Sequence, residues 1–403
     1  MLSHIQIFSI SMVKNEMDVI ESFVRYNLNI LDGMIILDNG STDDTLKILK
    51  LLKKEGLPVF ILEDQDKEFK HAKKMNLLLL KAINEYNADI IVPLDADEFI
   101  ISNNGNPRKI LEKIDTQTFH YVKWKTYVPN FERNDQFIPA RITRVRDESV
   151  ETFHKVVLPK ELVINHDVKL TTGSHDLLFE PEYANNIKSV FNAELRIAHF
   201  PIRSKEQTIS KIVVSWIYFL SRLERMESDG FHWQKIYNKL KEEEVIENED
   251  IIEIAKEYSV IEVISNISVY EDPIDLTFCK NIEIIYTDDN LKPISNILKA
   301  IEWLSISKLN YEQETIHNKK QFENKISNLS FELDETKSEA DILNKKVIEL
   351  TNNLAKVNAD INTINKLKDK INAYENSKSW KITSPLRKFK NKISKVKNEH
   401  KRG

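Results

Sequence analysis

Cysteine is nearly absent from this chain of 403 residues: Cys279 stands alone, which excludes a disulfide framework and a cysteine-rich zinc site and fits a reducing compartment. Glycine is scarce as well, with 7 residues, and no glycine-rich phosphate loop lies near the N-terminus. Residues Met1–Asn15 lack the basic segment and cleavage site of a signal peptide. The longest apolar run, Ile212–Leu220, is far short of the about 20 residues needed to span a bilayer. A net charge of -5 argues against general nucleic-acid binding. These absences leave a cytoplasmic, soluble protein as the expectation. Charged residues make up 30% of the chain, which with so little glycine calls for a long polar helical segment.

Two loops carry the chemistry. Apolar runs lead into ILDNGSTDDT at Ile36–Thr45 and IIVPLDADEFI at Ile90–Ile100, and each places carboxylates where a buried strand ends. In open α/β sheets ligands bind outside the carboxyl ends of the strands. Asp95 and Asp97, one residue apart, can share a hard divalent cation that in turn holds phosphate oxygens. Asp38 projects from its strand end, Gly40 permits a tight turn, and Ser41 or Thr42 can cap the helix that follows. Lys14-Asn15-Glu16 reaches the same edge from the first strand.

The periodicity predicts strands at Ile5–Val13, Met34–Leu37, Val59–Leu62 and Ile90–Leu94, alternating with helices at Asp18–Ile30, Thr42–Glu55 and Ala72–Tyr86. That alternation implies an α/β fold with a mostly parallel sheet wound by right-handed crossovers. Thr118–Leu178 is β-rich, Gln207–Leu240 helical, and Lys241–Ser305 mixed, with no chemistry legible in it. From Phe322 through Ile326, Leu329 and Leu333 to Ile371, apolar residues recur at spacings of four and three over about seven heptads, as in a left-handed coiled coil. Thr336, Ala340 and Lys368 interrupt that seam as register devices. Ser377–Gly403 holds ten Lys/Arg and one Glu; Leu386, Phe389, Ile393 and Val396 share one helical face behind Pro385. A basic amphipathic helix of this kind reads as membrane-surface or partner-binding, against a solvated tail as the plain alternative. The expected divisions are 1–205, 206–308, 309–376 and 377–403.

MVKNEMDVIESFVRYN, ILDNGSTDDTL, HAKKMNLLLLKA and ADIIVPLDADEFI, in that order, resemble glycosyltransferase family 2, in the bacterial branch that opens with KNE and carries LDADEF. The likeness continues more weakly through TTGSHD (Thr171–Asp176) and AHFPIRSKEQ (Ala198–Gln207) and is absent from the heptads. SWKITSPLRKF near the C-terminus looks like a segment at the ends of polysaccharide-assembly glycosyltransferases.

The resemblance implies a GT-A fold, Rossmann-like, and transfer of a sugar from a UDP- or other nucleotide-sugar donor to a hydroxyl of a glycan or lipid-linked acceptor. It implies Mg2+ or Mn2+ on Asp95 and Asp97, with His199 or His175 as a further ligand. It places Asp38 against the nucleotide, with Asn15 and Glu16 nearby and Asp95 at the donor. This chain has Asn39 where the family often has a second Asp. His71, Lys73 and Lys74 can face the diphosphate, as can Arg203 in the stretch Pro201–Lys205. The general base of an inverting reaction is sought among Glu98, Asp176 and Glu180, with Asp97 central to catalysis. Self-association through the heptads and peripheral contact at the inner face of the cell membrane complete the expectation. A scaffold with an inactive transferase domain and a nucleotidyltransferase are the competing readings; the intact acidic loops oppose the first and the missing glycine loop the second.

Overall fold

The computed structural model describes residues 4–64, 71–147, 149–150, 153–181, 187–220, 231–243, 246–260, 266–280, 282–287 and 291–399. The chain divides into two compact units, Met1–Lys308 and Leu309–Gly403.

The first unit opens with β1 (Ile7–Val13), α1 (Ile20–Asn27), β2 (Gly33–Asp38), α2 (Thr45–Lys54), β3 (Val59–Glu63), α3 (His71–Asn84) and β4 (Ile90–Pro93). Each observed element lies within a few residues of its expected bounds. β1 pairs in parallel with β2 and β4, and β2 with β3, so the order is 3-2-1-4. The chain adds strands outward from β1 to β3, then returns to add β4 on the other side of β1. Right-handed crossovers therefore put α1 and α2 on one face and α3 on the other. Side-chain alternation shows both faces filled. Ile7, Val13, Met34, Ile36, Ile90 and Val92 pack with Phe23, Tyr26, Leu49 and Leu52. Phe8, Ile10, Ile35, Leu37 and Ile91 pack with Met75, Leu78 and Leu79 of α3.

Beyond β4 the sheet is mixed rather than mostly parallel. β5 (Glu98–Ser102), α4 (Pro107–Leu111), β6 (Phe119–Val128), α5 (Ile138–Arg141), β7 (Arg144–Arg146), β8 (His154–Pro159) and α6 (Lys160–Asn165) follow. Then come β9 (Lys169–Leu170), β10 (Leu177–Leu178), β11 (Ser189–Phe191) and β12 (Leu195–His199). β8 runs antiparallel to β4 and β6, and β7 antiparallel to β6. β12 pairs antiparallel with β5 and parallel with β6. These pairings join segments far apart in the chain, Ile91 with Leu158 and Glu98 with His199 among them.

α7 (Lys205–Leu220), α8 (Phe231–Glu243), α9 (Asn248–Glu257) and β13 (Val269–Glu271) close the unit. Within the expected helix Gln207–Leu240, residues 221–230 lie outside the described residues. α10 (Pro293–Asn376) is one helix of 84 residues, followed by α11 (Lys378–Ile382) and α12 (Ser384–Glu399). In the single chain the heptad residues are exposed, Phe322 at 67% and Leu343 at 62%. Val396, assigned to the apolar face of α12, is among residues whose side chains are not described. Among the described residues no helix is long and apolar enough to cross a membrane.

Candidate active site

The strand order reverses between β1 and β4, and the carboxyl ends at such a reversal are where α/β sheets bind ligands. Val13, Asp38 and Glu63 stand in register across β1, β2 and β3, and Asp95 follows Pro93 of β4. Backbone topology alone thus collects the two acidic loops.

The first loop is stitched to the end of β1. Asn15, in the left-handed region at φ 57°, accepts from the Thr42 N–H at 2.7 Å, and its own N–H donates to Ser41 Oγ at 3.0 Å. The Glu16 N–H donates to Thr45 Oγ1 at 2.8 Å. Asn15 therefore holds the loop in shape. Ser41 and Thr42 do not cap α2; its N-cap is Asp44, without a side-chain cap bond, and the Asp43 carboxylate accepts from the Thr45 N–H at 2.9 Å. Asp38 is 2% exposed. Its Oδ1 accepts from the Ser41 N–H at 3.0 Å, and its Oδ2 has no hydrogen-bond partner among the described residues. One oxygen serves the turn and the other is left over. Lys74 is buried, not solvated: its Nζ donates to Asn39 Oδ1 at 2.6 Å and pairs with Asp64 at 3.0 Å.

The second loop is positioned by β12. Its antiparallel register on β5 sets His199 opposite Glu98, and the Phe200 N–H donates to the Asp97 carbonyl at 2.8 Å. This places His199 Nε2 3.9 Å from Asp97 Oδ1. Asp97 is 4% exposed, yet Lys211 Nζ lies 2.7 Å from its Oδ2 and Arg203 Nη1 3.6 Å away. Burial disfavours the Asp97 carboxylate, but the Lys211 and Arg203 charges outweigh it and hold the group well below the usual range. His199 stacks on Trp124 with ring centroids 4.0 Å apart, and burial pulls its pKa down to about 3, so the ring is neutral. Its Nδ1 is buried with no partner among the described residues.

Asp95 is held from behind. Lys155 Nζ lies 2.7 Å from Asp95 Oδ2 and donates to the Gly173 carbonyl at 2.8 Å. Burial pushes the Asp95 carboxyl up, but Lys155 and His71 more than offset this and leave it lowered. Glu98 is fully buried; its Oε2 accepts from the Asp95 N–H at 2.8 Å. Burial raises its carboxyl well above the usual range. Glu98 thus sits under the loop as a buried strut. Asp176 is placed differently. It is exposed, and its Oδ1 accepts from the Tyr121 hydroxyl and the Leu177 N–H, with no bond to Asp95 or Asp97. Glu180 is likewise exposed.

His175 donates from Nδ1 to the His154 carbonyl at 2.8 Å, since a carbonyl can only accept, and packs between Trp124 and Phe153. The Gly173 backbone approaches the His175 ring: a Cβ there would meet Nε2 at 2.6 Å, and φ is +78°. Arg203 is not free for phosphate. It forms two hydrogen bonds to Asp18, at 2.7 and 2.9 Å, and one to Glu16 at 2.7 Å. Burial lifts Glu16 to about 7, against the pull of Arg203.

Four groups escaped the sequence reading. Lys155 and Lys211 each sit in an apolar run, and a lone cation there is a legible signal of a buried partner. Asp18 gives no such signal. Tyr258 follows α9 in the region that showed no chemistry, yet its ring lies 5.9 Å from that of His199 and 5.9 Å from Lys211 Nζ. Arg146, buried on β7, fixes it by donating to the Lys256 and Tyr258 carbonyls at 2.9 and 2.8 Å.

Residues 10–161 match the family model described as Glycosyl transferase family 2, a span that runs from β1 into α6 and contains both acidic loops. This stretch is therefore a family 2 glycosyltransferase domain. No curated protein matches the chain. Among solved structures it is similar to S. aureus TarS 1-349 in complex with UDP, at 14% identity over 59% of this chain and 71% of that one, with a TM-score of 0.31. It is also similar to the mannosyltransferase PcManGT from Pyrobaculum calidifontis in complex with GDP-Man and Mn2+, at 12% identity over 63% and 74%, with a TM-score of 0.32. With GalNAc-T7, solved with UDP, GalNAc and Mn2+, the values are 12%, 60% and 57%, and the TM-score is 0.30. The matched residues 10–161 thus form a family 2 glycosyltransferase domain built on the parallel sheet described above.

Proposed function

We propose that the protein transfers a sugar from a UDP- or other nucleotide-sugar to a hydroxyl of a glycan or lipid-linked acceptor, with inversion, in the assembly of a surface polysaccharide or glycoconjugate. The observation that carries this is His199 Nε2 lying 3.9 Å from Asp97 Oδ1 at the carboxyl ends of the strands where the order reverses between β1 and β4.

The donor set suits Mg2+ or Mn2+. Two ligands that each lie about 2.1 Å from one ion are at most about 4.2 Å apart. Asp97 Oδ1 and His199 Nε2, 3.9 Å apart, meet that condition, and His199 offers an uncharged nitrogen. Among the described residues no three His, Cys, Asp or Glu side chains form a ready-made cage, so phosphate oxygens and water complete the shell. When bound, such an ion neutralises charge developing on the leaving diphosphate. The chain's own groups do the rest. Glu98 and Lys155 fix the orientation of Asp95, the unfilled Asp38 oxygen accepts from the nucleotide, and Trp124 backs His199. Tyr258 presents a half-buried ring beside His199 and Lys211.

The heptad residues of α10 bury their seam only against another helix, and a second copy of this chain is the partner proposed. In α11–α12 the Arg387 guanidinium lies 3.5 Å from the centre of the Trp380 ring, and Leu386 and Phe389 are 72% and 71% exposed. An apolar face flanked by lysines supports peripheral contact with anionic headgroups at the inner face of the cell membrane, in a cytoplasmic protein.

A thermal-shift screen of UDP, GDP, ADP and CDP with Mn2+ tests the reading, because a ligand that binds the folded state raises the melting point. One diphosphate should stabilise the chain in a Mn2+-dependent way. No shift with any of them at millimolar concentration would refute the proposal.

A further inference from the structure

Both carboxylates of Asp95-Ala96-Asp97 already hold a cation, and in each case it belongs to the protein. Lys155 Nζ is enclosed by Asp95 Oδ2 at 2.7 Å, Glu98 Oε1 at 3.4 Å and the Gly173 carbonyl at 2.8 Å, and its side chain is 1% exposed. Lys211 Nζ, from α7, lies 2.7 Å from Asp97 Oδ2 and 3.3 Å from the Pro201 carbonyl, and its side chain is 21% exposed.

The two lysines differ in what their departure leaves behind. Without Lys155, Asp95 and the fully buried Glu98 would share a site with no cation between them, which is strongly unfavourable. Without Lys211, Asp97 still faces Arg203 at 3.6 Å. The Lys211 stem is also long, flexible and open on one side. Lys155 is built in. Lys211 can leave.

We propose that Lys211 is a removable latch on the ion site, occupying Asp97 in the empty enzyme and releasing it to the donor's diphosphate when the ion binds. This rests on the reading of Asp97 as a metal ligand. An ion on Asp97 Oδ1 beside His199 and an ammonium on Oδ2 of the same carboxylate are like charges within a few ångströms, and they repel. The ammonium is a compact point charge with three donors, well suited to phosphate oxygens once it is displaced. Ion and diphosphate then favour each other's binding through one side chain, since each removes the obstacle to the other. Asp95, locked on Lys155, keeps its partner throughout and sets the loop in place.

The test is titration of Mn2+ alone into the full chain, read from the loss of the free-ion electron paramagnetic resonance signal. Wild type, Lys211→Met, Lys211→Arg and Asp97→Asn are compared, with melting curves to establish folding. Lys211→Met removes the competing charge and keeps most of the stem, so Mn2+ should bind about tenfold tighter than in wild type. Lys211→Arg retains the charge and should bind no tighter than wild type. Lys211→Gln serves as the neutral variant if the methionine form does not fold. Equal or weaker Mn2+ affinity in a folded neutral variant overturns the latch. Undiminished binding by Asp97→Asn, or no binding by wild type and neutral variant alike, overturns instead the assignment of the ion to Asp97.

Discussion

Replacing Arg203 by methionine withdraws the cation that ties the end of β1 to the segment after β12. Its guanidinium donates to both Asp18 oxygens and to Glu16, and to the Phe200 carbonyl at 3.0 Å. Asp18 is 3% exposed, so the substitution strands a buried carboxylate, and the Met side chain leaves little cavity to confuse the result. Breaking a buried pair from one side costs about 3–5 kcal/mol. With a urea dependence of about 3 kcal/mol per molar, the unfolding midpoint should fall by roughly 1–1.7 M. Tryptophan fluorescence of the full chain in urea reads this without screening charge. Adding Asp18→Asn should restore part of the loss, because an amide is cheaper to bury unpaired than a carboxylate. A shift below about 0.3 M, or no recovery in the double variant, would refute the buried-pair reasoning.

Asp32 supplies a pH test. Burial raises its carboxyl, but the Ile7 N–H, His4 and Arg108 prevail and hold it below the ordinary value. A lowered folded pKa stabilises fully above the unfolded value of about 3.9 and is lost as pH falls through the folded one. The urea midpoints of wild type and Asp32→Asn should therefore differ at pH 7 and converge below about pH 4; a gap independent of pH would contradict this. Asp38→Ala should weaken nucleoside diphosphate binding about tenfold by calorimetry and cost about 1 kcal/mol of stability through the lost Ser41 contact. Unchanged affinity would leave Asp38 with the turn alone. Truncation after Lys308 should give a monomer in analytical ultracentrifugation where the full chain associates, and a monomeric full chain would refute the seam.

The parallel half of the sheet was legible because local signals agree there. Strands β1 to β4 are apolar on both faces, and the helices between them carry a single stripe, so period and length point to one arrangement. The mixed half was not, since β5 and β12 are short and their pairing joins residues about a hundred positions apart. That pairing is what sets His199 beside Asp97, so the histidine emerged from resemblance and not from pattern. Glu98 shows the limit from the other side. A carboxylate in a site motif looks catalytic in one dimension, but strand alternation turns it under the loop, where it accepts from the Asp95 N–H. The partners of the acidic pair, Lys155 and Lys211, come from β8 and α7, and only the folded sheet shows which charge each one meets.

The most direct test of the central claim is release of nucleoside diphosphate from a panel of UDP- and GDP-sugars by the full chain, in Mn2+, in EDTA and with Asp97→Asn. The account expects release from at least one donor in Mn2+, its loss in EDTA, and a fall of about 100-fold or more in a folded Asp97→Asn protein. Full release by Asp97→Asn in EDTA would contradict it.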